Sequence, residues 1–135
     1  MNDKIGAMAF SRRRIPLATT VRIVLEDCDA ARLVSERRLE SAMRALCAAA
    51  RLGVVGALRH RYSPQGWTLV LVLKESHLIL HTWPEHRAAV VELLSCRRRN
   101  PVAAIAARAA AALGAGRRSV KTERLSIAEM IGSRP

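Results

Sequence analysis

The apolar and polar positions along the chain alternate between strand-like and helix-like periods. Thr19-Thr20-Val21-Arg22-Ile23-Val24-Leu25-Glu26 is β-branched and roughly alternating, which predicts a strand, and Asp27-Cys28-Asp29 is its polar stop. Ser35 stands where a helix N-cap is wanted, and Leu39, Met43, Leu46 and Cys47 recur at helical spacing, so a helix is expected from there to about Ala50. Leu52 to Leu58 predicts a second strand, followed by a turn-rich loop, His60-Arg61-Tyr62-Ser63-Pro64-Gln65-Gly66. Trp67 to Leu73 predicts a third strand. It is apolar almost throughout, the pattern of a strand covered on both faces or lying at a subunit contact. His77 to Thr82 continues as a short fourth strand stopped by Pro84, while Arg87 to Cys96 fits strand or helix equally. Pro101 opens an Ala-rich helix that ends near Gly114 and Gly116, and Arg118 to Leu125 alternates as a last strand.

Strands outnumber helices. The architecture expected is an α+β two-layer sandwich, an antiparallel sheet with helices on one face, and a homodimer would cover the other face of 67–73. Residues 1–16 are expected as a basic N-terminal extension, 17–125 as the domain and 126–135 as a C-terminal tail.

Composition changes this picture little. With 50% hydrophobic residues among 135, the chain can bury one core, and with few aromatics that core must be Ala, Val, Leu and Ile. A net charge of +12 invites a nucleic-acid reading. The cations, however, are nearly all Arg scattered through Ala-rich segments, with no aromatic-and-basic stacking motif and no helix-turn-helix pattern. Nucleic acid is therefore not the expected partner. Cys28, Cys47 and Cys96 are odd in number and form no CxxC pair, which argues against disulfides and a Cys-based zinc site and for a reducing cytoplasm. No apolar run reaches the length of a membrane helix, and none of signal-peptide length precedes Arg12.

The chemistry is concentrated in Lys74-Glu75-Ser76-His77-Leu78-Ile79-Leu80-His81-Thr82-Trp83-Pro84-Glu85, with Cys96 fifteen residues after His81. Taken singly, each residue has an ordinary explanation: Ser76 as a turn residue, Trp83-Pro84 as a packed turn, Cys96 as a small hydrophobe. His77 and His81 share a face but no third ligand is specified, and the G-x-S-x-G elbow of a serine hydrolase is absent. A hydroxyl, two imidazoles, two carboxylates, an indole and a thiol beside an apolar strand nevertheless suit a site more than a core.

Together, Glu75-Ser76-His77-Leu78-x-x-His81-Thr82-Trp83-Pro84-Glu85 resembles the self-processing segment of bacterial S-adenosylmethionine decarboxylases, the small pyruvoyl enzymes of polyamine synthesis. His60-Arg61-Tyr62-x-Pro64-x-Gly66, Glu26-Asp27-Cys28-Asp29 and the spacing of Cys96 extend the resemblance over roughly residues 18–125. It implies that Ser76 Oγ attacks the Glu75 carbonyl with help from Thr68, and that His81 takes the Ser76 α-proton from the resulting ester. Position 76 is left as a pyruvoyl group, the cofactor, which binds the substrate amine as a Schiff base. The resemblance further implies Cys96 as proton donor to the product carbon. Tyr62, Trp83 and Glu85 are the substrate-binding candidates, Tyr62 stacking on adenine and Glu85 holding the ribose hydroxyls.

In a straight strand residues five apart face opposite ways, so Ser76 and His81 of one chain diverge. The resemblance implies a dimer in which Ser76 and Cys96 of one chain meet Thr68, His81 and Glu85 of the other. The chain departs from the family where Gly66-Trp67-Thr68-Leu69 replaces Gly-Val-Ser-Gly, at His86-Arg87-Ala88, and at Arg97-Arg98-Arg99 where Gly and acidic residues are usual. The processing set is nearly whole and the substrate set is altered. Decarboxylation of another amino acid, arginine or ornithine, and an unprocessed paralogue acting as a binding subunit are the alternatives.

Overall fold

A computed structural model describes residues 11–131. Six strands and two helices run in the order β1 (Ser11–Glu26), α1 (Glu36–Ala49), β2 (Val54–Arg61), β3 (Trp67–Leu73), β4 (Ser76–Trp83), β5 (Ala88–Ser95), α2 (Val102–Leu113) and β6 (Arg117–Ile131). The strands form one sheet in the order β2-β3-β4-β5-β1-β6, and every neighbouring pair is antiparallel. Both helices contribute to the single core, so this is the expected α+β sandwich.

The period-two pattern decides which residues face the helices. Val21, Ile23 and Leu25 on β1, Leu69, Leu71 and Leu73 on β3, Leu78 and Leu80 on β4, and Ala89, Val91 and Leu93 on β5 are all buried. From α1 come Leu39, Met43, Leu46 and Cys47, and from α2 Ile105, Ala106, Ala109 and Leu113. The Ser35 side chain accepts from Arg38 N at 3.4 Å, as an N-cap should. Gly114 closes α2 at φ 63°, the left-handed position a glycine takes without penalty. On the opposite face Val70, Ile79, Val90 and Leu94 are only half-buried, and Leu58 is 69% exposed.

The elements differ from expectation mainly at their ends. The second strand reaches Arg61, placing His60 and Arg61 in the ladder with β3 rather than in a loop. The ambiguous stretch after Arg87 is a strand, because it fills the gap between β4 and β1 and pairs with both. The largest difference lies in β1 and β6. Residues 11–16, expected within a loose extension, and 126–131, expected in a tail, pair with each other from Ser11↔Ile131 to Pro16↔Ser126. Ser95 opposite Thr19 is where β5 stops, so beyond that point β1 and β6 continue as a two-stranded ribbon. Residues 1–10 and 132–135 of the expected extension and tail lie outside the described residues.

Burial pushes the Cys47 thiol up to about 11, against a small opposing pull from the Arg44 charge, and it also raises Cys28. In the unfolded chain Cys47 ionises near 9.0, so the folded state holds the extra proton between the two values. This contribution to stability is complete below the lower value and is lost as pH rises through the upper one. Thermal melts should show Tm falling across that interval, with a shallower fall in Cys47→Ala.

Candidate active site

The hairpin of β3 and β4 carries nearly all the candidate residues, and its register places them. Leu73 pairs with Ser76, leaving Lys74 and Glu75 as a two-residue turn. From there the ladder runs to Thr68 opposite His81. Ser76 falls on the alternation of Leu78, Leu80 and Thr82 and so belongs to the helix side of the sheet. His77 and His81 belong to the open side. Five residues of strand separate Ser76 from His81, about 16 Å at the usual rise. The candidates are thereby sorted into two groups at opposite ends of one hairpin.

At the turn, the exposed Cys96 lies just past the end of β5, and its Sγ donates to the Glu75 carbonyl oxygen at 2.8 Å. That carbonyl belongs to the Glu75–Ser76 bond. The two residues sit in a pocket of about 190 Å³ with Gly53, Lys74, Ser76 and Arg97. Lys74 N donates to Gly53 O at 3.0 Å, tying the turn to the start of β2. Arg97 holds the other wall. Its guanidinium donates to Ala50 O at 2.6 Å and to Arg51 O, the free carbonyls at the end of α1. Its own N–H is taken by the Ser95 hydroxyl at 3.2 Å. Cys96 is therefore presented by a segment pinned on both sides. Arg97, Ser95 and Gly53 were not among the candidates, and only the disposition of the α1 C-terminus reveals their part.

At the other end, Thr68 Oγ1 lies 2.9 Å from His81 Nδ1 and 2.9 Å from the Tyr62 hydroxyl, a chain of three polar groups from β3, β4 and the loop after β2. His60 meets Tyr62 edge-on at 4.8 Å between ring centroids, and Trp83 lies 5.9 Å from His81. Tyr62, Trp67, His81, Trp83 and Glu85 line a cleft of about 520 Å³. Such a cleft can take a flat ring and a polar tail, with the Glu85 carboxylate as acceptor. Beneath it Thr82, buried, accepts from Trp67 N at 3.0 Å and donates to Leu33 O at 3.3 Å, while Trp67 Nε1 donates to Val34 O at 3.1 Å. The loop over the cleft turns at Gly66, φ 108°, where a Cβ would stand 3.0 Å from Thr82 O.

The residues at the turn fit a pyruvoyl group. Residue 76 opens a strand, half-buried, beside a thiol that already engages the preceding carbonyl. Among the described residues no cluster of three or more His, Cys, Asp or Glu could hold a metal ion.

The model of the S-adenosylmethionine decarboxylase family matches residues 20–124. The S-adenosylmethionine decarboxylase proenzyme of Prochlorococcus marinus (strain MIT 9313) is 39% identical over 72 residues, 53% of this chain and 58% of that one. The proenzyme of the same name from Acetivibrio thermocellus is 41% identical over 69 residues, 51% and 56% of the two chains. The chain thus spans a little over half the length of the curated relatives it matches. A crystal structure of the adenosylmethionine decarboxylase from Aquifex aeolicus VF5 superposes with a TM-score of 0.76 at 21% identity, covering 88% of this chain and 98% of that one. The fold is the same.

Gly66→Ala should lower stability by about 1–3 kcal/mol in denaturant melts, because a side chain at this φ is strained and the Thr82 carbonyl blocks its Cβ. Of the three cysteines only Cys96 is exposed, so one thiol should react rapidly with a disulfide reagent in the native protein and three after unfolding.

Proposed function

The chain belongs to the S-adenosylmethionine decarboxylase family, and on that premise we propose that it cleaves itself between Glu75 and Ser76 and then decarboxylates S-adenosylmethionine for polyamine (spermidine) synthesis. The observation that carries this reading is the Cys96 thiol, 2.8 Å from the Glu75 carbonyl oxygen with Ser76 next in the chain. Addition of Ser76 Oγ to the Glu75 carbonyl carbon places negative charge on that oxygen, and a donor already aimed at it lowers the cost. The Ser76 nitrogen then leaves and the amide becomes an ester. Removal of the Ser76 α-proton expels the Glu75 carboxylate, and water releases the former Ser76 nitrogen as ammonia, leaving a ketone at position 76. His81 is the proposed base for the α-proton, its ring oriented by Thr68, which Tyr62 holds in turn.

A pyruvoyl ketone supplies the electron sink for decarboxylating an amine-bearing substrate. Around it this chain's residues bind and deliver protons. Tyr62 and Trp83 offer faces for the adenine, Glu85 accepts from the ribose hydroxyls, and Cys96 returns a proton to the product carbon.

The sorting of residues supports a site shared between two chains, in which Ser76 and Cys96 of one protomer meet Thr68, His81 and Glu85 of its partner. The open sheet face, with Val70, Ile79, Val90 and Leu94 half-buried and Leu58 bare, is the apolar surface such a homodimer would bury. Three free thiols agree with a cytoplasmic location, and no helix among the described residues is long and apolar enough to cross a membrane.

Denaturing intact-mass spectra should show fragments 1–75 and 76–135, the second lighter by one ammonia than a serine-started chain, and a single full-length species in Ser76→Ala. His81→Ala should slow fragment formation by about 100-fold or more, the usual scale of a lost general base. Release of CO2 from S-adenosylmethionine, set beside arginine and ornithine, identifies the substrate. An uncleaved wild-type chain would instead leave a binding subunit.

A further inference from the structure

Where the β1–β6 ribbon leaves the sheet, it opens a cleft of about 530 Å³ whose wall carries Arg13, Arg97, Arg98 and Arg124 beside Cys96. The fold brings these residues together from three segments far apart in sequence. Arg124 pairs with Thr19, Thr19 pairs with Ser95, and the chain after Ser95 runs directly into Cys96, Arg97 and Arg98. The register of β1 against β6 shifts between Pro16 and Ala18, an irregularity of the kind that re-aims a strand, and Arg13 lies on the far side of it. Arg97 is fixed from behind by its bonds to the Ala50 and Arg51 carbonyls, just past the end of α1.

Charge here is one-sided. No carboxylate lines the cleft, and among the described residues none of the four arginines forms an ion pair. Glu129 stands opposite Arg13 in the register without forming an ion pair with it. Elsewhere among the described residues five arginines are matched by carboxylates. Arg59 bridges Glu36 and Glu40, Arg22 pairs with Glu92, and Arg117 with Glu26 and Asp27. Ile15, Pro16 and Leu17 give the cleft an apolar side, which strengthens any charge interaction made against it. Guanidinium forks match phosphate oxygens two at a time, and several converging forks suit an anion with more than one negative group better than a lone carboxylate.

We propose that this cleft binds a phosphate-chain anion, an inorganic polyphosphate or the triphosphate of a nucleotide, through Arg98 and Arg124 with Arg13 and Arg97 completing the cradle. Arg13 lies outside the family match over 20–124 and Arg97, Arg98 and Arg124 lie within it, so only one wall of the cleft falls beyond the matched region. Cys96 and Arg97 also line the pocket around Glu75 and Ser76, so an anion held in the cleft lies against the Cys96 thiol and shields it from reagents. Binding does not depend on whether the chain is processed.

The test is titration calorimetry of the purified protein with sodium tripolyphosphate at about 0.15 M salt, where long-range attraction to the net positive chain is screened. The comparison sets Arg98→Gln/Arg124→Gln against Arg37→Gln/Arg38→Gln, which removes the same charge from the exposed face of α1. One site per chain is expected. It should weaken about tenfold or more in the first variant, since each lost charge-assisted pair is worth about that much, and less than twofold in the second. Arg98→Lys/Arg124→Lys keeps the charge and should fall between. Tripolyphosphate should slow alkylation of Cys96 by iodoacetamide in the wild type and leave the rate unchanged in Arg98→Gln/Arg124→Gln. ATP binding as tightly as tripolyphosphate assigns recognition to the phosphates alone, and tighter binding assigns a nucleotide. Equal weakening in both glutamine variants, absence of binding heat, or a wild-type alkylation rate indifferent to the anion would overturn the proposal.

Discussion

A connection of two residues leaves a hairpin a single register, and the chemistry of this chain hangs on that restriction. With Lys74 and Glu75 as the whole turn, Ser76 must pair with Leu73 and His81 must pair with Thr68. One residue more or less in the turn would send Ser76 to the open face and His81 into the core among Leu69, Leu78 and Leu80. The same ladder fixes Thr82 on the buried side, where its hydroxyl supports Trp67 and the loop over the cleft. Reactive residues are therefore placed by the same alternation that builds the core.

Much of this was legible in the chain because it rests on short-range periodicity. The alternation of 19–26, the helical spacing of Leu39, Met43, Leu46 and Cys47, and the placement of Ser35, Pro101 and Gly114 each announced an element that the structure contains. The segment from Glu75 to Glu85, with Cys96, carries the family resemblance in residue order alone. The opposed facing of Ser76 and His81 also followed from strand geometry alone. What lay beyond reach was non-local. Arg12-Arg13-Arg14 and Pro16 have the composition of a loose basic arm, and only pairing with 126–131 makes them strand. Residues 88–95 balance between helix and strand until β4 and β1 offer ladders on both sides. No local pattern could show that Arg97 caps α1 or that the Cys96 thiol meets the Glu75 carbonyl, since those partners are 47 and 21 residues away.

The two faces of the sheet divide the work. The helix face is sealed by leucine, isoleucine, valine and alanine, and its buried polar groups, Thr82 and Ser95, are both bonded. The open face carries His77 and His81, the Arg22–Glu92 pair at 3.0 Å and a band of incompletely covered aliphatic side chains. Glu92 stands directly opposite Ile79 in the register, so the ion pair lies beside that aliphatic band. The polar groups of the Tyr62, Thr68 and His81 chain lie on the apolar part, where exclusion of water would sharpen each hydrogen bond.

Strand order has one more consequence if the chain is cut between Glu75 and Ser76. The sheet reads β2-β3-β4-β5-β1-β6, so the leading fragment contributes β2, β3 and β1 and the trailing one β4, β5 and β6. Of the five ladders, three then join one fragment to the other: β3 with β4, β5 with β1, and β1 with β6. The leading fragment's β1 is clasped between two strands of its counterpart, as fingers of two hands interlock. Neither piece can depart without dismantling the sheet, so a broken backbone would leave a native particle indistinguishable in shape from an unbroken one. Refolding after denaturation, however, would become a meeting of two molecules, first order in each.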